Sequence, residues 1–485
     1  MTITIESRED VTLETYERVA WRDEAVAFGP SAIDRMTEAR AAFLNLIDQD
    51  PDVVIYGVTS GYGQRANLRF TPEERRAHAA RPPRAAASPF GAPLPNRVVR
   101  GIVLARLTNF VEGHSAISPG LARAVAAMLA APDMPEVSSE GHGGAGEILA
   151  LSQLFLPVAE ASDLREKDAL CLINGSPCAA AVLADAALSS RRRLRLATEI
   201  FALAAEAFLA PADHYDVALQ NLWGDPEEAA VLEDLRGLLA GGADQRRPYQ
   251  APVSFRIVPR LLGRLSRAVL AAEDMATRSL RSITDNPVFL MPDQDHPLGR
   301  ALSTGGYHNA GAAPALDELA AGYADLALLA ERQTSKILEG RVSGLPDQLA
   351  TGPDDARYFG TVPMVAVGYG EAARHAAQRT FLPGPESGGY AQNDVASNAI
   401  PAWNKHEAAG SAFDACLAIL GAIASQALFA TDRDAPPALR GLLTEIREAL
   451  PPIEEVQPMG PRLAKLRDVL GAKLVPKESH IQRGG

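Results

Sequence analysis

The sequence predicts a mainly α fold, a long-helix bundle preceded by a smaller N-terminal mixed region. Three features lead there. Ala/Leu-rich stretches of helical length recur at 180–210, 258–281, 312–339 and 403–430. Apolar residues repeat at helical spacing almost everywhere beyond residue 100, whereas the clear β-like run lies near the N-terminus. Polar, Gly-rich segments fall between the helical stretches, at 56–63, 140–147, 172–177, 250–256, 303–309 and 388–398. The chain accordingly divides into residues 1–110, which carry the Tyr56 segment, and 111–485, a helical body holding the other loops.

In chain order, Asp52–Val58 reads as a strand (Val53, Val54, Ile55, Tyr56) that breaks into Thr59-Ser60-Gly61-Tyr62-Gly63. Arg81–Pro95, rich in Pro, Ala and Arg, reads as a loop. Leu104, Leu107 and Val111, then Leu121, Val125 and Met128, mark helices. Ala180–Ala210 is helical, with Ser189-Ser190-Arg191-Arg192-Arg193 expected to break or expose it. The later stretches predict helices long enough to pack side by side in a bundle or an oligomer. Ala415–Ala430 is short for a membrane span and contains Ser425 and Gln426, so a buried helix is expected.

Of 485 residues, 47% are apolar and 22% charged, the balance of an ordinary soluble protein. A net charge of −13 argues against nucleic acid and membrane surfaces as partners. Cys171, Cys178 and Cys416 are too few for a disulfide framework and match no zinc spacing, so buried thiols are expected. The nine histidines form no metal-spaced pair with carboxylates, and no metal is expected. Met1–Thr12 lacks a basic-then-apolar signal, and a cytoplasmic enzyme fits these features best.

Four segments carry a resemblance: Tyr56-Gly57-Val58-Thr59-Ser60-Gly61-Tyr62-Gly63, Leu172-Ile173-Asn174-Gly175-Ser176, Asp285-Asn286-Pro287 and Gly305-Gly306-Tyr307-His308. In this order, across about residues 50–430, the chain resembles the aromatic amino-acid ammonia-lyase and aminomutase family. The resemblance implies an ammonia-lyase-like long-helix bundle, a homotetramer with shared active sites, and a small-molecule carboxylate substrate. It lays Gly144-Ala145-Gly146 on the Ala-Ser-Gly triplet that family members cyclise and dehydrate to a methylidene-imidazolone (MIO). Alanine has no leaving group on its β-carbon, so no cofactor is expected. Glu147 replaces the usual Asp, and Val253 stands where an active-site tyrosine is usual, within Gln250-Ala251-Pro252-Val253-Ser254-Phe255-Arg256. Several changes together point to natural remodelling rather than one engineered substitution.

The resemblance also assigns roles. Tyr56 matches the base that removes a β-carbon proton, and Tyr307 replaces a pocket phenylalanine near the cofactor position. Arg256 matches the substrate-carboxylate arginine, Asn174 a substrate-binding asparagine, and Gln250 a pocket residue. Asn393 falls where histidine lyases carry Glu and phenylalanine lyases Gln, and Ala85–Ser88 lies near the ring-selectivity segment. Plainer alternatives stay open for each: Tyr56 packing at a strand end, Arg256 in a structural salt bridge, Asn174 as a turn residue, His142 as a satisfied loop residue rather than an acid or base.

The favoured expectation is an MIO-independent lyase of specialised metabolism acting by Tyr-based proton abstraction on an amino-acid-derived or other small carboxylate. Elimination, conjugate addition, dehydration and cyclisation all fit. The alternatives are an ammonia-lyase or 2,3-aminomutase with its serine replaced by Ala145, and a non-catalytic subunit of a hetero-oligomer.

Overall fold

A computed structural model describes residues 2–351, 359–384 and 393–475. The N-terminal part opens with β1 (Thr2–Ile5) and β2 (Ala25–Phe28), a parallel pair in register from Thr2↔Ala25 to Ile5↔Phe28. Helix α1 (Pro30–Gln49) follows. Next comes α2 (Pro72–Ala79), started by a capping box in which Thr71 and Glu74 each accept the other's backbone N–H. Helices α3 (Asn96–Val111), α4 (Pro119–Met128) and α5 (Ile148–Glu160) lead into the helical body.

That body is built from α6 (Pro177–Phe208), α7 (Pro226–Leu239), α8 (Val258–Arg281), α9 (Ala312–Leu338), α10 (Val362–Ala376) and α11 (Ala399–Ala430). A two-stranded antiparallel ribbon, β3 (Val288–Leu290) with β4 (Arg300–Leu302), separates α8 from α9. Helices α12 (Arg440–Ala449) and α13 (Gly460–Gly471) close the described chain. Helices α6, α9 and α11 pack against one another and α8 packs on α6 and α9, with α3 on α6 and α10 on α9 and α11. Small side chains permit this: Ala179 to Ala187 are buried throughout, and Gly421 meets the tip of Ile200. One continuous apolar core runs from Ile3 to Leu474; Phe43, Ile55, Val58 and Phe289 form a smaller one beneath the Tyr56 loop.

The helices expected at 258–281, 312–339 and 403–430 are present, the last beginning earlier, at Ala399. The 415–430 stretch is the buried half of α11. The stretch Asp168–Phe208, which takes in a short helix and α6, and helix α11 are long and apolar enough to cross a membrane, yet 89% of each apolar window is buried inside the protein. The three cysteines are free and buried.

Two expectations are corrected. Residues 52–58 form no strand, because no other segment pairs with them. Instead Thr59 Oγ1 accepts from Ile55 N at 2.8 Å and donates to Val53 O at 2.7 Å, folding the run into turns. The polar run 189–193 does not break α6, and only Arg191 within it is exposed. Ser189 and Ser190 return their hydroxyls to Ala186 O at 3.1 and 2.5 Å, and Arg193 pairs with Asp414 of α11 at 2.8 and 3.0 Å.

Candidate active site

The turns after residue 52 place Tyr56 half-buried, with its hydroxyl accepting from Gly63 N at 3.1 Å. Gly61 makes this loop possible: a Cβ there would collide with the Arg65 carbonyl. Burial pushes the Tyr56 phenol above its ordinary range; the Gly63 N–H pulls it back, and the neighbouring phenols of Tyr307 and Tyr62 push it up further. Tyr307, half-buried, lies close enough for its phenol to raise that pKa. Tyr62 packs at a 47° tilt against His78 of α2, ring centroids 5.1 Å apart, fastening the loop to that helix.

The Gly-rich turn before α5 lies beside Tyr307. Gly146 adopts φ +63° and is buried, and a Cβ on it would stand 3.5 Å from the Tyr307 ring. Gly144 O accepts from Ser397 N at 3.1 Å, and Ser139 O accepts from Asn404 Nδ2 at 2.8 Å, so the start of α11 grips the turn. Ala145 is half-buried between these anchors. His142 lies 2.7 Å through Nε2 from Ser138 O, and burial lowers its pKa. A neutral ring donating Nε2–H to that carbonyl fits both facts, the satisfied-loop arrangement.

Glu147 reaches away from the turn. Its carboxylate accepts the backbone N–H groups of Cys178 and Ala179, the latter at 2.7 Å, and so caps the first turn of α6. Burial outweighs these bonds and raises its pKa to about 7. Behind the turn lies a buried charge cluster. Arg106 donates to Asn174 O, while its Nε and Nη2 find no partner, and burial lowers its pKa. Lys167 and Asp285, both fully buried, pair at 2.6 Å.

Asn174 follows the short helix Asp168–Ile173 and is buried, yet its side-chain amide has no partner among the described residues. Asn286 Oδ1 accepts from Thr304 N at 2.8 Å, which sets the start of the 303–309 loop carrying Tyr307. Sequence reasoning missed Arg106 and Lys167. The available signal was a lone base set in an apolar run, Leu104-Ala105-Arg106-Leu107 for the first.

Gln250 and Arg256 are not brought to this site within one chain. Gln250 is exposed, and Arg256 lies in the short helix Val253–Arg256, whose Ser254 O accepts from Gln333 Nε2 at 2.8 Å. Gln333 is near the C-terminal end of α9, whereas Tyr307 precedes its N-terminus. At the rise of an α-helix, the 21 residues from Ala312 to Gln333 span about 30 Å. Arg256 makes no salt bridge among the described residues, and its Nε is buried without a partner, so the structural ion pair is not found. Asn393 is half-buried four residues before Ser397, on the side of the Gly144 turn; Gly389 to Gln392 lie outside the described residues. Among the described residues no group of three or more His, Cys, Asp or Glu side chains is placed to hold a metal ion.

A family profile described as aromatic amino acid lyase matches residues 11–163 and 159–448. The chain is 26% identical over 374 residues to a histidine ammonia-lyase of Streptococcus pyogenes, covering 71% of each sequence. Its fold is similar to that of tyrosine aminomutase from Streptomyces globisporus, with TM-score 0.86, 21% identity, and 98% and 97% of the two chains covered. It is also similar to the ergothioneine-degrading enzyme ergothionase from Treponema denticola, with TM-score 0.88, 19% identity, and 98% and 100% covered.

Proposed function

The chain belongs to the aromatic amino acid lyase family and is a lyase, and from that premise we propose that it works without an MIO electrophile. The residues at 144–146 do not fit that group. Its methylidene carbon derives from a serine that loses its hydroxyl, and Ala145 has none to lose. We propose instead that Tyr56 removes a proton from a small carboxylate substrate whose leaving group needs no covalent activation.

The observation that carries this reading is the half-buried Tyr56 hydroxyl held by the Gly63 N–H, with the Tyr307 ring packed against the Gly144–Gly146 turn that has lost its serine. A primary ammonium is a poor substrate there, because a base takes its N–H proton before a C–H proton. A quaternary ammonium has no such proton and departs as a neutral tertiary amine.

Energetics narrow the reading. Ionising a phenol of ordinary pKa, ~10, costs about 4 kcal/mol at pH 7. Burial makes Tyr56 worse than that, so a cation must face it during turnover or the reaction must favour alkaline pH. Arg256 suits the carboxylate-binding role because its buried guanidinium Nε lacks a partner, and its place near the far end of α9 supports supply from a second chain. A homotetramer with shared sites is the assembly proposed.

Tyr56→Phe is the first test. It should abolish turnover while the circular-dichroism spectrum and oligomer size stay unchanged; full activity would remove Tyr56 as the base. The competing reading, an ammonia-lyase or aminomutase with its serine replaced, is favoured by the names of the sequence relatives. Under it, Ala145→Ser gives a protein lighter by two waters that releases ammonia from an aromatic amino acid. Under the reading proposed here, neither change appears.

A further inference from the structure

The one-turn helix Val253–Arg256 is fastened to the helical body from several sides. Phe255 stacks on Phe208 of α6 with ring centroids 4.3 Å apart, and Ser254 O accepts from Gln333 of α9. Tyr215 adds a long hydrogen bond, its hydroxyl donating to Phe255 O at 3.5 Å. The approach to that turn is held differently. Tyr249 and Gln250 are exposed and form no hydrogen bond among the described residues, and Pro252 has no N–H to give. Ala251, between them, is buried, and its N–H donates to His214 Nε2 at 3.2 Å.

His214 lies in the single turn Ala212–Tyr215 beyond the end of α6, and Arg236 of α7 clamps that turn by donating to Tyr215 O at 3.2 Å. A backbone N–H can only donate, so Nε2 is the accepting nitrogen. The ring is therefore neutral, with its proton on Nδ1. Burial lowers the His214 pKa and the Arg256 guanidinium lowers it further, against Asp213, which raises it, so the surroundings favour that neutral form.

We propose that His214 is a positioning residue: through the Ala251 N–H it fixes the approach to the Val253–Arg256 turn and so sets where the Arg256 guanidinium meets a substrate carboxylate. This deepens the function proposed above and rests on its assignment of Arg256. A single helical turn has little stability of its own, so its flanks decide where it lies. Pro252, with its φ fixed by the ring, makes a stiff link between Ala251 and the turn that ends at Arg256. A shift at Ala251 is thus carried to the guanidinium, and the forked geometry of an arginine–carboxylate pair tolerates little displacement.

Two variants and two readouts test this on the full chain. His214→Leu removes the acceptor, whereas His214→Gln keeps an uncharged acceptor at similar reach. Hydrogen exchange at the Ala251 amide, resolved by fragmentation mass spectrometry, reads the bond itself. Protection should be lost in H214L and kept in H214Q. Titration calorimetry with 3-phenylpropanoate reads the consequence. H214L should bind about five- to tenfold more weakly, the order of one neutral hydrogen bond, and H214Q should restore the affinity. In an Arg256→Ala background, where binding is already weaker, H214L should cost nothing further. Unchanged exchange in H214L, unchanged affinity in H214L, or an equal loss in H214L with and without Arg256 would each overturn the positioning role while leaving Arg256 as the carboxylate group. If Arg256→Ala itself leaves the affinity untouched, the Arg256 reading fails and the role of His214 with it. If the acid does not bind the unsubstituted protein, both fail together.

Discussion

At the scale of single residues, the site is held by groups whose charge state is costly. Glu147 caps α6 from the turn that carries Ala145, and burial raises its pKa to about 7. A carboxyl with a raised folded-state pKa contributes stability that is full below its unfolded value and is lost as pH climbs through the folded one. The thermal midpoint should therefore fall between about pH 4.5 and pH 7 through this group, and Glu147→Gln should flatten that fall. A scanning-calorimetry pH series with an unchanged slope would contradict it. Tyr56 works in the opposite sense. Only its ionised form is a base and its pKa is raised, so kcat/KM should increase close to tenfold per pH unit through the neutral range. Tyr56 and Tyr307 were legible because each lies in a Gly-rich motif. Glu147 stood out as a substitution, but its capping of α6 did not, since it depends on how two distant segments meet.

At the scale of elements, the candidate site residues lie on loops or, for Arg256, in a single helical turn, and the long helices hold them. The 52–63 run shows why sequence pattern misled there. Val53, Val54 and Ile55 favour a strand, but Thr59 Oγ1 supplies the donor and acceptor a partner strand would have given. The polar run inside α6 failed as a break signal for a similar reason, since its serines bond within the helix and Arg193 finds Asp414. The buried Lys167–Asp285 pair ties the Asn174 helix to the Asp285 motif. Removing one partner leaves the other charge buried and uncompensated. Lys167→Met should cost about 3–5 kcal/mol in urea unfolding, with Lys167→Met/Asp285→Leu recovering much of that loss. A single variant as stable as the parent would show that the pair contributes nothing.

At the scale of the whole molecule, the long-helix body was the most legible feature, because 3.6-residue periodicity marks α8 and α9 while α11 reads as an apolar Ala/Leu-rich run of helical length. The distribution of the site was not legible, since only the fold shows Arg256 and Tyr307 at opposite ends of α9. If neighbouring chains complete each site, co-expressed Tyr56→Phe and Arg256→Ala chains should recover activity that neither has alone. Random mixing restores about a quarter of the sites. Activity that stays at zero in verified mixed oligomers would place both residues in one chain's site. The central claim, elimination without an MIO electrophile, is tested most directly by one measurement. The enzyme is assayed for alkene formation from an aromatic α-amino acid and from its N,N,N-trimethyl derivative. The account predicts Tyr56-dependent elimination of trimethylamine and no release of ammonia. Ammonia released from the primary amine at a comparable rate would contradict it.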